Sequence, residues 1–233
     1  MSNILKINGT NLATTYKCFY DGSQFFRKPE KVIDTYSVPG RNGDVAISQN
    51  KFSNVTRPIK CFIKDNFVTN YNNLVNYLST LDGYTRIETT EESDVYMMGL
   101  VSAEIDPSPT QLLKEGFFTL NVDFKPQKWL KSGETAVTVS TSSTLTNPTK
   151  QKALPLLEVT GTGSITINNS VLALAENTTT TIIDCEIEDA YEGSINRNGD
   201  LTVTNGFPVL NSGANTVSVN GCTVKVYPRW WRL

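Results

Sequence analysis

The chain contains no histidine. That absence removes the Ser-His-Asp and Cys-His constellations, the commonest proton shuttle and nearly every catalytic zinc or non-haem iron site. Catalysis would have to run on carboxylates, lysine, tyrosine or cysteine alone. No charge of one sign dominates either, since 21 Lys and Arg against 23 Asp and Glu leave a formal charge of −2. Such a balance gives no field that would hold the chain to nucleic acid or to an anionic membrane. No apolar run approaches the roughly 18 residues of a membrane span. Nor does a basic, apolar and small-residue pattern open the chain, so the expectation is a product made and kept in a cytoplasm. The four cysteines, Cys18, Cys61, Cys185 and Cys222, show no CxxC spacing and read as small buried hydrophobes of a reducing compartment. P-loop, GxGxxG, GxSxG and metal-ligand spacings are all missing, so the sequence predicts no enzyme, no cofactor and no metal. The sequons at Asn8, Asn54, Asn168 and Asn177 carry no meaning without a secretory route.

At 233 residues the chain suits two cores, given about 100 to 150 residues per domain. Ile4-Leu5-Lys6-Ile7 running into Asn8-Gly9 reads as a short strand meeting a turn. Cys18-Phe19-Tyr20 and Gln24-Phe25-Phe26 bracket Asp21-Gly22 like a second hairpin. Between Phe67 and Leu81, Phe67, Val68, Tyr71, Leu74, Val75, Leu78 and Leu81 recur at steps of three and four, which predicts one amphipathic helix packed on a sheet. Asp65 or Asn66 can cap its start, and Asp82-Gly83 stops it. Strands are expected at 84–88, 95–101 and 117–124; Pro126 breaks the last, and the polar turn Lys131-Ser132-Gly133-Glu134 marks a boundary. Residues 1–130 therefore read as an α+β domain and 131–233 as a second domain.

Beyond that boundary the apolar period is two, with strands predicted at 135–141, 164–168, 181–188, 201–204, 216–220 and 223–227. Short strands punctuated by Gly and Asn turns make a mainly β chain that ends in a jelly-roll type β-sandwich. Val217 and Val219 before Asn220-Gly221, with Val224 and Val226 after it, predict a tight hairpin. Arg41-Asn42-Gly43-Asp44 recurs as Arg197-Asn198-Gly199-Asp200, yet the flanks differ and Asn-Gly occurs five times, so shared turn chemistry explains the echo.

Three clusters could carry chemistry, and each has a plainer explanation. Glu88, Glu91, Glu92 and Asp94 lack the ligand spacing of a calcium loop and read as a solvated connection. Glu186 and Glu188, on a strand, would share one face as a glycosidase pair does, but simple alternation with Cys185 and Ile187 accounts for them. Tyr227, Trp230 and Trp231, with Arg229 and Arg232 beside them, are candidates for a platform facing a sugar or a partner. Adjacent strand residues point to opposite faces, so only one tryptophan can serve a given surface and the other is expected in the core. A lectin-like module binding cell-wall polysaccharide through these aromatics is the alternative reading.

The densest turn signal is Val38-Pro39-Gly40-Arg41-Asn42-Gly43-Asp44-Val45, where Asn42-Gly43 supplies the two positive φ angles of a type I′ turn and Pro39-Gly40 bends the approach. This stretch, in order with several others, resembles the distal tail (Dit) proteins of phages with long, non-contractile tails. The others include the opening strand with Asn8-Gly9, Leu78-Ser79-Thr80-Leu81-Asp82-Gly83 at the end of the helix, and Asp94-Val95-Tyr96-Met97-Met98-Gly99. Phe124-Lys125-Pro126-Gln127-Lys128-Trp129, Ala153-Leu154-Pro155-Leu156-Leu157-Glu158-Val159, Phe207-Pro208-Val209-Leu210 and Pro228-Arg229-Trp230-Trp231-Arg232-Leu233 continue it over nearly the whole chain. The resemblance implies a virion structural protein, made in a bacterial cytoplasm and built into the tail tip of a phage of Gram-positive hosts. It would form a homohexameric ring closed by the N-terminal domains, with galectin-like or carbohydrate-module-like C-terminal domains projecting outward. Implied partners are further copies of itself, the tail-tube protein, the tail-associated lysin or fibre-bearing hub, and receptor-binding proteins at the rim. Pro39, Gly40, Arg41, Asn42, Gly43 and Asp44 are then the candidate inter-subunit hairpin.

Overall fold

The computed structural model describes residues 4–109, 114–175 and 179–233, without the side chains of Gln24 and Pro109, so the sequon at Asn177 lies outside the described residues. The chain divides into two compact units, one reaching to Lys128 and the other Trp129–Arg232.

In the first unit, β1 (Leu5–Ile7) and β2 (Thr10–Asn11) turn on Asn8 and Gly9, whose φ values of 46° and 80° make a two-residue type I′ turn. Asn11 then caps a short helix, α1 (Leu12–Tyr16), its side-chain oxygen accepting from the N–H groups of Ala13 and Thr14. After β3 (Cys18–Tyr20), Asp21 accepts from Ser23 N–H and starts a 3-10 helix, Gly22–Phe26, where the sequence suggested a hairpin. Next come β4 (Lys31–Tyr36), β5 (Val45–Phe52), β6 (Val55–Ile63), α2 (Phe67–Ser79), β7 (Tyr84–Thr89), β8 (Val95–Leu100), β9 (Pro107–Pro109) and β10 (Gly116–Leu130). One sheet runs in the order β2-β1-β7-β8-β10-β6-β3, with β9 also on β10.

The alternation expected for 117–124 is present, with Phe118, Leu120, Val122 and Phe124 facing inward against Leu12, Phe67, Leu74 and Leu78 from the two helices. Val68 stands outside the helical stripe at 46% exposure. Neither proposed residue caps α2 with its side chain. Asn66 enters the helix in the left-handed region (φ 45°), not in the extended conformation from which a cap oxygen reaches back. Instead, Asn70 Nδ2 donates to the Asp65 carbonyl at 2.7 Å.

The second unit is a β-sandwich of antiparallel sheets. One contains β11 (Val137–Val139), β21 (Thr223–Tyr227), β13 (Leu156–Thr160), β16 (Thr180–Asp184), β17 (Asp189–Glu192) and β18 (Ile195–Asn196) in that order. The other contains β12 (Ser142–Asn147), β20 (Gly213–Asn220), β14 (Gly163–Ile167), β15 (Ser170–Leu174) and β19 (Leu201–Thr204). Leu157, Val159 and Ile183 from the first meet Leu145, Ile165 and Leu172 from the second in one core. A last short strand, β22 (Trp231–Arg232), closes the chain.

Two sequence expectations change here. Asn220-Gly221 is not a hairpin, because β20 and β21 belong to opposite sheets and the turn carries the chain across the sandwich. Valines that alternate toward one core satisfy either arrangement: Val217, Val219, Val224 and Val226 are all buried, facing each other across the layer instead of lying side by side. The strand predicted through Glu188 ends at Asp184, where Asp184 pairs with Asp189 and residues 185–188 form the turn between them. The echo of Arg-Asn-Gly-Asp has no structural counterpart, since Asn198–Asp200 is a 3-10 turn while Asn42-Gly43 lies in a loop. Among the described residues no helix is long and apolar enough to cross a membrane.

Candidate functional site

Among the described residues, β4 and β5 of the hairpin pair only with each other. Tyr36 faces Val45 at its last rung, Thr35 faces Ala46 and Asp34 faces Ile47, so residues 37–44 form the tip. This corrects the two-residue turn expected at Asn42-Gly43. Val38 O accepts from Arg41 N–H at 3.1 Å and Gly40 has a φ of 78°, the geometry of a type II turn with Pro39 at its second position. Gly43 separately adopts a φ of 80°, while Asn42 does not enter the left-handed region. A type I′ turn needs φ > 0 at both central residues, and here the preceding Pro-Gly turn has already reversed the chain.

Pro39, Gly40, Arg41, Asn42, Gly43 and Asp44 are all exposed, and the Arg41 and Asp44 side chains make no hydrogen bond to any described residue. Apolar groups accompany them: Ile33, Tyr36, Val38 and Ile47 each expose 40% or more of their surface. A ribbon with two unpaired edges and exposed aliphatic and aromatic side chains is a template for pairing with another chain. On the outer face of the main sheet, register places Phe19 opposite Phe62 and Phe62 opposite Phe117. The Phe62 and Phe117 rings lie 4.8 Å apart and Phe117 is 55% exposed, so an aromatic row crosses β3, β6 and β10. Nothing in the sequence pattern marked this row, because outward-facing apolar residues break the alternation that reveals a strand.

At the C-terminus the structure separates the three aromatic candidates. Trp230 is 6% exposed and packs in the sandwich core. Trp231 donates from Nε1 to the Lys152 carbonyl at 2.8 Å, and Tyr227 donates to Glu158 at 3.0 Å. A cavity of about 500 Å³ beside Trp230 is bordered by Ser132, Thr135, Ser143, Thr144 and Thr146, without Tyr227 or Trp231. No common sugar platform therefore joins the three residues.

The carboxylate candidates also disperse. Glu186 and Glu188 sit in a turn, not side by side on a strand, and Ile187 between them is 64% exposed. Two members of the 88–94 cluster reach inward instead of standing in solvent. Glu91 accepts from the Tyr20 hydroxyl and Glu92 pairs with Lys128, because the strand end places them beside the 3-10 helix and β10. Burial, reinforced by Glu91, holds the Tyr20 phenol above its ordinary range. All four cysteines are buried free thiols, and burial pushes Cys185 up to about 12.

An α+β sheet unit with a projecting hairpin, followed by a β-sandwich, is the class of architecture these observations define. A solved protein with the same fold is SPP1 Dit (gp 19.1), whose crystal structure is described as a paradigm of the hub adsorption apparatus in phages infecting Gram-positive bacteria. The two superpose with a TM-score of 0.73 at 12% identity, over 97% of this chain and 98% of that one. No family model and no curated protein matches the sequence.

Proposed function

We propose that this chain is a virion structural protein, a distal tail hub whose copies close a homohexameric ring between the tail tube and the host-adsorption apparatus. The observation that carries the reading is the β4–β5 hairpin, which among the described residues pairs with no further strand and exposes Ile33, Tyr36, Val38 and Ile47. A closed ring needs a heterologous interface, in which one surface of each copy meets a different surface of the next. The hairpin supplies the first surface, and the Phe19–Phe62–Phe117 row supplies an apolar second one. The likeness in fold to a phage hub protein supports the same reading.

On this account the first unit makes the ring and the sandwich is an appendage at its rim. The tail-tube protein, the tail-associated lysin or fibre hub, and receptor-binding proteins are its neighbours in the virion. No catalytic step is assigned to it. Native mass spectrometry and negative-stain microscopy of the purified chain at high concentration test the proposal: sixfold rings are expected. A chain that stays monomeric there, and is missing from rings in purified virions, would refute it.

A further inference from the structure

Among the described residues Arg57 is the largest side chain that is fully buried, at 1% exposure, on an inward position of β6 opposite Val122. A guanidinium among aliphatic and aromatic side chains is costly unless its donors are engaged. Here Nη1 donates to the Phe25 carbonyl at 3.1 Å and lies 3.3 Å from Met97 Sδ, while Nη2 donates to the Arg27 carbonyl at 3.3 Å. The guanidinium carbon stands 5.0 Å from the centre of the Phe124 ring and 5.9 Å from that of Phe25. Among the described residues no carboxylate lies within ion-pair distance of it, and Nε has no partner. Burial lowers Arg57 to about 10, opposed by the charge of Glu92, so the group remains a cation at neutral pH.

The two carbonyls it grips belong to the leg that leads into the hairpin. Phe25 sits near the end of the 3-10 helix, Arg27 follows it, and β4 begins at Lys31. Arg57 itself belongs to the strand into which the returning leg runs, since β5 ends at Phe52 and β6 starts at Val55. Further ties cross the same root, among them a bond from the Ser53 hydroxyl to the Glu30 carbonyl at 3.3 Å. Ser53 N–H donates to the Glu30 carbonyl at 3.0 Å, and Arg27 Nη1 reaches the Thr56 carbonyl at 3.5 Å. Among the described residues the hairpin pairs with no strand of the sheet, so this root is where hydrogen bonds tie it to the body.

We propose that Arg57 is the positioning residue that sets the direction in which the β4–β5 hairpin leaves the first unit, by locking the incoming leg to the outgoing strand. Without the paired donation, the ribbon pivots about residues 27–30 and 53–56 while the sheet beneath stays intact. The consequence for ring closure rests on the reading above; the pivot is a property of the single chain.

Spin labels on cysteines introduced at Ala46, on the hairpin, and Asn72, on α2, report the direction in the dilute, unassembled full chain, because the four native thiols are buried. One narrow distance distribution is expected for the unmodified root. Arg57→Met keeps the stem and removes the donors, and it should broaden that distribution by about twofold. A second label pair on Asn72 and Lys6, both within the body, should stay narrow. R57K, which keeps the charge but not the paired donation, must broaden the hairpin distances too, and it decides the matter if the methionine variant does not fold. Unchanged hairpin distances in the folded variant, with only a lower melting temperature, would overturn the proposal and reduce Arg57 to core filling. Absence of rings from the unmodified chain would instead sink the hub reading and leave these distances untouched.

Discussion

Arg229 grips Asp184 with two parallel hydrogen bonds, Nη1 to Oδ1 at 2.7 Å and Nη2 to Oδ2 at 2.9 Å. Arg229 holds a left-handed backbone (φ 53°) while its N–H donates to the Gly133 carbonyl at 2.9 Å, so the pair ties the terminal segment to the end of β16. Fork-to-fork pairing of this kind is both directional and stronger than a neutral hydrogen bond. Burial alone would push the Asp184 carboxyl up. The Arg229 hydrogen bonds and charge, with N–H donation from Glu186 and Ile187, outweigh burial and leave it below its ordinary value.

A depressed folded-state carboxyl makes stability depend on acid in one direction. The unfolded chain takes up its proton first, so the contribution is complete above the ordinary aspartate value of about 3.9 and is lost as pH falls through the lower folded value. Glu158 and Glu192 are lowered as well and add to the same slope. In Asp184→Asn the slope below pH 4 should flatten while stability at pH 7 drops by about 1–3 kcal/mol. Urea titrations of both proteins between pH 2 and pH 7 check this; parallel curves would show that the pair contributes nothing.

Much of this fold could be read from the sequence because one face of most strands is buried. Phe118 to Phe124 and Ile165 to Ile167 alternate cleanly, and α2 shows its stripe at Phe67, Leu74 and Leu78. What stayed hidden has specific physical causes. The hairpin is wet on both faces, so Lys31 to Tyr36 carries no inside-outside pattern. Arg57 puts a charge at a core position of β6 and Pro58 follows it, which disguises a nine-residue strand. The turn at Gly221 misleads because side chains can share a core from opposite sheets as well as from one. The candidate hairpin was legible as a place and not as a geometry: Pro39-Gly40 makes the turn credited to Asn42-Gly43.

Asn215 is 1% exposed, and its side-chain amide makes five hydrogen bonds with four residues. It accepts from Asn168 Nδ2 and Asn211 N–H, and donates to the carbonyls of Asn211, Gly213 and Leu145. Asn215→Leu matches its volume but removes all five bonds, and the buried Leu145 carbonyl loses this donor while the Asn211 groups can turn to solvent; each unsatisfied buried group costs about 1–3 kcal/mol. Chemical denaturation should show a loss of about 1–3 kcal/mol. Asn76→Ala, exposed on α2, should change little. A leucine variant as stable as the parent would mean that water reaches this network.

Gly221 and Gly206 separate two costs that are usually confounded. Both have positive φ, 82° and 77°, but a Cβ at Gly221 would stand 2.8 Å from the Thr162 carbonyl oxygen, whereas Gly206 has nothing within 4 Å. Gly206→Val should therefore pay only backbone strain, about 1–3 kcal/mol. Gly221→Val adds a clash against backbone at the point where the chain crosses between sheets, and its melting temperature should fall well below that of the Gly206 variant. Equal losses would show that the crossing turn yields freely.

The hairpin tip offers a matched comparison through its echo elsewhere in the chain. Gly43 and Gly199 both follow Arg-Asn and precede Asp, and both have open space around them, yet only Gly43 has a positive φ, of 80°. Valine tolerates that region poorly, so Gly43→Val deforms the tip, while Gly199→Val meets no such conflict. Each variant should keep the circular dichroism of the parent. On the hub proposal, native mass is expected to drop from hexamer toward monomer for Gly43→Val alone, because a distorted tip would present Arg41, Asp44 and Val38 to a neighbouring copy at the wrong angle. Charge-assisted contacts at a desolvated interface depend on that geometry far more than the same residues do in solvent. A Gly43→Val chain that still assembles into hexamers would remove the tip from the interface and leave the ladder residues Ile33, Tyr36 and Ile47 to make it.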